Sequence, residues 1–224
     1  MINYTLNRSN RKTVGIYIRN GMVEVRAPLK YSQAEIDKFV TSKEKWIRDK
    51  LASSQEQTER MNAFALDYGS KIYYRGKLYP IEARPGKLAG FDGTCFYMPL
   101  NLEPPHIKNL CIQIYRNLAK KYLTAKVAEF APQMGVMPVS VKINNAKTRW
   151  GSCSSKKSLN FSWRLIMGDD DVIDYVVVHE LAHLSQMNHS AAFWAIVKNI
   201  LPDYKQRRAK LKELHRRLAE ESWD

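Results

Sequence analysis

Cysteine is scarce, with three in 224 residues at positions 95, 111 and 153 and no Cys-x-x-Cys pair. An odd, widely spaced set cannot pair fully within the chain, so a disulfide framework is excluded and a reducing compartment is expected. No apolar run approaches the roughly 20 residues of a membrane span, and no secretory apolar core follows Met1. The expectation is a soluble, cytoplasmic protein with no membrane partner. Acidic residues are outnumbered, 22 against 36 Lys and Arg, for a net charge of +14. A phosphate-cradling Gly-x-x-x-x-Gly-Lys-Ser/Thr loop is missing, as are helix-turn-helix and zinc-ribbon patterns. Internal repeats and low-complexity tracts are missing too. Histidine is rare, but three of the five fall between residues 179 and 189.

That stretch, Val176 to Trp194, is where chemistry concentrates. His179-Glu180-x-x-His183 places two imidazoles four residues apart, on one face of an α-helix. Two histidines so spaced can ligate one zinc ion. Glu180, about 100° round the helix from His179, can stand beside the ion and take a proton from water held there, as a general base. A hydrolytic zinc keeps three protein ligands, and His189 is the candidate for the third. It lies six residues after His183, too far to continue the same face, so the helix must stop and the chain turn back. Asn188 suits that turn because asparagine tolerates the left-handed conformation. Ser190 suits the N-cap of a following helix, with Phe193 and Trp194 turned to the core. Ile173, Val177, Leu181 and Leu184 form an apolar face opposite the histidines. The acids Asp169 to Asp171 stand where N-capping and the helix dipole favour them.

The runs Arg149 to Ser155 (RWGSCSS), Leu159 to Leu165 (LNFSWRL), Val172 to Leu184 and Met187 to Trp194, in that order, resemble the YgjP-like metallopeptidase family, a group within the zincin, gluzincin-like metallopeptidases. Ile18 to Pro28 resembles the family's amino-terminal part, so the resemblance covers nearly the whole chain. The spacing of His179, Glu180, His183 and His189 is similar also to that of DNA–protein-crosslink proteases. The resemblance implies a zinc-dependent hydrolase fold in which the strand just before the active-site helix, Leu159 to Leu165, pairs with an extended peptide. A free strand edge can bind a peptide by adding it to the sheet. The resemblance supplies no particular substrate, and some relatives have been labelled nucleotide pyrophosphatases.

Arg149, Trp150 and Asn160 are the candidate substrate-binding residues. Arg149 can stabilise an oxyanion or hold a carboxylate or phosphate, with a surface salt bridge as the plainer role. Trp150 and Trp163 read as core or groove-wall residues. Cys153, within Gly151-Ser152-Cys153-Ser154, reads as part of a small-residue turn rather than as a nucleophile, and His106 and His215 as surface histidines.

The expected class is α+β: a β-rich amino-terminal region with a helical insert over residues 1–100, then a zincin-like metallopeptidase domain over 101–224. Alternating stretches at Tyr4–Leu6, Val14–Ile18 and Met22–Arg26, with Asn20-Gly21 as a hairpin turn, predict a meander. Capping boxes at Ser32/Glu35 and Thr41/Glu44 predict two helices through Leu51, with Ala52–Arg60 as linker or helix end. A second hairpin is expected around Arg75-Gly76, then short strands near Leu88–Phe91 and Cys95–Met98. Pro99, Pro104 and Pro105 mark the boundary. Beyond it lie a long helix to about Pro132, with Leu110, Ile114, Leu118 and Tyr122 as its stripe, and strands at Val139–Ile143 and Leu159–Leu165. A terminal helix carries a stripe of Tyr204, Leu211, Leu214 and Leu218 in an otherwise charged, solvated surface.

The reaction expected is peptide hydrolysis by zinc held on His179, His183 and His189, with a polypeptide as substrate. Charge supplies a second clue: residues 61–167 hold 16 Lys and Arg against 5 Asp and Glu, whereas 168–199 hold 1 against 5. A basic scaffold attracts nucleic acid or another polyanion. The alternatives are therefore a metal-dependent nucleoside triphosphate pyrophosphatase and a nucleic-acid-associated zinc-binding module. The module would prefer a closed four-ligand site, for which no fourth ligand stands at suitable spacing.

Overall fold

The computed structural model describes residues 2–19 and 21–223. The chain is α+β and divides into two compact units, Met1–Phe64 with Ala219–Ser222, and Ala65–Leu218 with Trp223–Asp224. No helix among the described residues is long and apolar enough to cross a membrane.

In the first unit, alternating apolar residues make β1 (Thr5–Ser9), β2 (Gly15–Arg19) and β3 (Met22–Pro28). Their order is β1-β3-β2, with β3 antiparallel to β2 and parallel to β1. This replaces the expected meander. The central place goes to β3, whose Val23, Val25 and Ala27 are buried. Gly21 takes a φ of 72° in the β2–β3 turn; Asn20, the other half of that turn signal, lies outside the described residues. The Ser32/Glu35 box opens α1 (Gln33–Ser42), with the Glu35 amide donating to Ser32 Oγ and the Ser32 amide to Glu35 Oε2. The second expected box does not form, because Thr41 is inside α1 and Lys43 precedes α2 (Glu44–Ala63). Helix α2 runs straight through Ala52–Arg60. Pairs one turn apart, Gln55 with Glu59 and Arg60 with Glu56, support this exposed stretch. Ile36, Val40 and Ile47 close the core over β3.

The second unit starts with β4 (Lys71–Tyr74), β5 (Lys77–Arg84), β6 (Gly90–Phe91) and β7 (Phe96–Pro99), in the order β4-β5-β7-β6. Arg75 and Gly76, with φ of 48° and 74°, turn the first hairpin as a two-residue loop with both centres left-handed. A side chain at 76 would also collide with Asp169, whose Oδ1 stands 2.0 Å from an ideal Cβ. Phe96 meets Tyr115 at 5.2 Å between ring centroids, and the Tyr115 hydroxyl donates to the Tyr73 carbonyl. That shared core makes the division fall after Phe64 instead of near residue 100. The prolines mark a helix start: Pro104 opens α3 (Pro104–Gln133), where a missing N–H costs nothing. The buried face of α3 is Ile107, Cys111, Ile114, Tyr115, Ala119, Leu123 and Val127, so apart from Ile114 the expected stripe forms only its margin.

Three further strands, β8 (Ser140–Asn144), β9 (Gly151–Cys153) and β10 (Ser158–Ser162), order as β8-β10-β9. The expected strand to Leu165 is cut short at Ser162, and Trp163–Met167 coil into a buried 3-10 turn. Its Trp163 Nε1 and Arg164 Nη1 both donate to Asn145 Oδ1, at 2.7 and 2.8 Å, and Trp163 stacks on Tyr115. Trp163 is therefore core. Three helices follow: α4 (Asp170–Ala182), α5 (Ala191–Ile200) and α6 (Tyr204–Leu218).

Arg75 ties the first hairpin to the start of α4, donating to both Asp170 oxygens at 2.8 and 2.6 Å and lying 4.3 Å over the Tyr122 ring. Arg75→Asn keeps a residue that tolerates the left-handed turn and removes the cation. For a half-exposed pair the expected loss is about 1 kcal/mol in urea unfolding at pH 7. The Arg75 hydrogen bonds, against burial, hold Asp170 below the usual carboxylate range. The contribution is thus present above about pH 4, the unfolded carboxylate's range, and fades as pH falls through the folded value. The gap between wild type and variant should narrow towards pH 2; a gap of undiminished size there would assign the effect to the turn or to the contact with Tyr122.

Candidate metal centre

Helix α4 is held by its apolar side, Ile173, Val177 and Leu181 being wholly buried. Its opening acids act as anchors. Asp169 occupies the N-cap but makes no side-chain cap bond, Asp170 binds Arg75, and Asp171 binds Lys210 at 2.6 Å. N-capping with the helix dipole was the expectation: the acids do stand in the first turn, but the side-chain cap bond is not made, and Asp170 and Asp171 pair with distant cations. Past Ala182 the helix tightens to bonds three residues apart: the Leu184 amide donates to Leu181 O and the Ser185 amide to Ala182 O. Asn188 is not left-handed, since the non-glycine residues of positive φ are Arg75, Asn101 and Lys157 among the described residues. The reversal instead closes through His183 Nδ1, 3.0 Å from the Gln186 carbonyl. Ser190 then caps α5, accepting from the Phe193 amide at 3.4 Å.

These turns bring His179, His183 and His189 together, one nitrogen from each lying within 4.8 Å of the others. His179 Nε2 and His189 Nε2 are 3.0 Å apart. Two nitrogens on a tetrahedral ion with arms of about 2.0–2.1 Å would stand about 3.3 Å apart, so little adjustment is needed. A carbonyl only accepts, so His183 donates from Nδ1 and its Nε2 keeps a free lone pair. Burial, then the neighbouring His183 and His189, pulls His179 down to about 3; burial likewise lowers His183. Neutral imidazole is the form a metal needs. His179 Nδ1 is buried without a hydrogen-bond partner among the described residues. Packing orients this ring instead, against Tyr175 at 5.8 Å and Phe193 at 4.9 Å between centroids.

Glu180, the next residue along the same helix, is buried. Burial pushes its carboxyl up to about 7, against the opposing charge of Arg149. Over it lies Gly151 of β9, where an ideal Cβ would come within 2.6 Å of Glu180 Cγ and Oε1. The missing Cβ therefore makes room for this carboxylate. Gly151→Ala should displace Glu180 and lower kcat/KM on the order of 10²-fold, the scale of a misplacement near 1 Å, with metal content unchanged. Full activity in the alanine variant would show that Glu180 has slack. Cys153 lies in β9 rather than in a turn, and burial followed by the Glu180 charge raises its thiol pKa. Such a thiol stays protonated and is a poor nucleophile.

Register sorts the remaining candidates. Gly151 sits opposite Phe161, and directly opposed residues share a face, so that face of the sheet looks onto Glu180. Asn160 is one residue away, paired with Ser152, and lies on the opposite face. It therefore lies on the face away from the carboxylate. Arg149 acts on Glu180 through its charge. Trp150 packs edge-on against His215, 6.1 Å between centroids, rather than on the three histidines. His106 and His215 are exposed. The expected peptide-pairing strand, β10, has neighbours on both sides and no free edge; the outer strand next to α4 is β9. Two neighbours of the centre escape sequence reading: Gly151, signalled only by its place in Trp-Gly-Ser-Cys, and Arg208, whose charge reaches His179 from α6.

A family model described as YgjP-like, metallopeptidase domain, matches residues 12–214. Among solved structures the chain is similar to the metallopeptidase zymogen of Pyrococcus abyssi abylysin, at 19% identity and a TM-score of 0.39, covering 43% of this chain and 94% of that one. The metallopeptidase zymogen of Methanocaldococcus jannaschii jannalysin gives 20% identity and a TM-score of 0.37, covering 41% and 94%. A likeness so loose assigns no residue. No curated protein matches the chain.

Proposed function

Since this chain belongs to the YgjP-like metallopeptidase family, we propose that it hydrolyses peptide bonds with a zinc ion held by His179, His183 and His189 and with Glu180 as general base. The observation that carries this reading is three converging imidazoles, two of them held neutral by burial, beside a buried carboxyl whose pKa is raised to about 7. The donor set fits zinc, which takes three imidazole ligands and leaves one position open. When bound, zinc supplies Lewis-acid polarisation of the scissile carbonyl and lowers the pKa of water.

The chain's own groups do the rest. Glu180 accepts a proton from the attacking water and returns it to the leaving amine. Gly151 leaves Glu180 its room. Arg149 is assigned to balance negative charge developing at the scissile oxygen, which fits a cation whose field reaches Glu180. An extended peptide would add to the outer edge of β9, bringing its backbone past that carboxylate. A cytoplasmic setting is part of the proposal and rests on three free cysteines.

The test is mass spectrometry of a peptide mixture from a denatured proteome, incubated with zinc-loaded wild type or Glu180→Gln. New termini made only by the wild type support the peptidase. Identical digests, with nucleoside triphosphates hydrolysed by the wild type, would replace it with the pyrophosphatase.

A further inference from the structure

The cations of α6 divide into two sets. Arg207 pairs with Asp203 at 2.8 Å and Lys210 with Asp171 at 2.6 Å. Lys205, Arg208 and Lys212, three and four residues apart and so on one face, have no acidic partner among the described residues. With Trp194, Tyr204 and Ala209 they line a cavity of about 410 Å³, which no acidic side chain borders among the described residues. Trp194 stacks on Tyr204 at 5.3 Å and 20°. Arg208 lies 5.6 Å over the Trp194 ring. On its other contact Trp194 stacks with His189, 5.7 Å and 28° apart. A single indole thus separates this cationic cavity from the candidate metal centre. The charge of Arg208 also reaches His179.

From this arrangement we infer that the cavity is the subsite for a carboxylate of the substrate, either an Asp or Glu side chain flanking the scissile bond or a free C-terminus. The inference rests on the peptidase reading above. Three uncompensated cations within two turns repel one another, and an anion relieves that repulsion. A guanidinium held against an indole presents its planar fork for bidentate carboxylate binding, and two ammonium groups add charge without fixing direction. A nucleic-acid strand is the poorer fit. It needs an extended cationic track, whereas residues 168–199, which carry the metal centre, hold five acids against one Lys.

The test uses full-length, zinc-loaded Glu180→Gln and fluorescein-labelled octapeptides. One carries a central Glu and an amidated end, one a neutral sequence with a free C-terminus, and a control is neutral and amidated; a single-stranded DNA octamer completes the set. One or both carboxylate peptides should bind about 10-fold tighter than the control, and which does identifies the source. Lys205→Glu with Lys212→Glu, both exposed and outside the metal centre, should erase the difference. Equal binding of all three peptides, a preference that survives the reversal, or tighter binding of the DNA would each overturn the inference. Wild type that binds the acidic peptide with this preference but never cuts it would sink the peptidase reading and leave the carboxylate site standing.

Discussion

Glu180→Gln is expected to lower kcat on the order of 10³-fold, within the range for a lost general acid–base group, while metal stays bound at wild-type stoichiometry. The same substitution should stabilise the metal-free protein at pH 8. Burial raises the Glu180 pKa from 4.5 to about 7, so the fold favours the protonated carboxyl. Stability from that preference is fully present below about pH 4.5 and is lost as pH rises through about 7. At pH 8 the wild type therefore carries a desolvated carboxylate that costs about 3 kcal/mol, at about 1.4 kcal/mol per pKa unit. A neutral glutamine escapes that cost. Urea unfolding of both metal-free proteins at pH 4 and pH 8 would show a gap at pH 8 alone. Were the variant no more stable at pH 8, the raised pKa of the metal-free site would be wrong.

His183→Ala should abolish metal retention and activity together. Binding of about 10–16 kcal/mol at a four-ligand zinc site, shared among its ligands, gives about 3–4 kcal/mol each, hence an affinity loss on the order of 10²- to 10³-fold. His183 is informative because its ring is set by one bond, from Nδ1 to the Gln186 carbonyl at 3.0 Å, which leaves Nε2 for the ion. Elemental analysis after dialysis should find the variant metal-free, and zinc should no longer raise its melting temperature. His215→Ala is the control: that ring is exposed against Trp150, and the substitution should leave metal content untouched. Metal retained by His183→Ala would mean that His183 is not a ligand.

The contrast between those two histidines marks how far the sequence could be read. Features governed by neighbours within a turn or two were legible: the shared face of His179 and His183, the Ser190 cap, the Ser32/Glu35 box and the Arg75-Gly76 hairpin. Features governed by distant partners were not. Asp170 and Asp171 look like helix-capping acids until Arg75 and Lys210 arrive from elsewhere in the chain. Asn160 faces away from Glu180 because β10 pairs with β9 in one particular register, and a shift of one residue would reverse every side chain on the strand. Strand β9 is three residues long, too short for any periodicity to announce it.

The sequence alone determined the chemistry on offer: three histidines and a glutamate in a short segment, few acids to neutralise a basic scaffold, and an α+β pattern. Such properties depend on residue type and on spacing along one helix, where geometry repeats every 3.6 residues. Only the tertiary structure decided what surrounds that chemistry. It set Gly151 over Glu180, put β9 instead of β10 at an outer edge of the sheet, and left Lys205, Arg208 and Lys212 beside Trp194 without an acidic partner among the described residues while Lys210, on the same helix, found an acid. Burial, register and ion pairing are set by which elements pack together, so the pKa of Glu180 and the charge of the neighbouring cavity emerge only when the chain has folded.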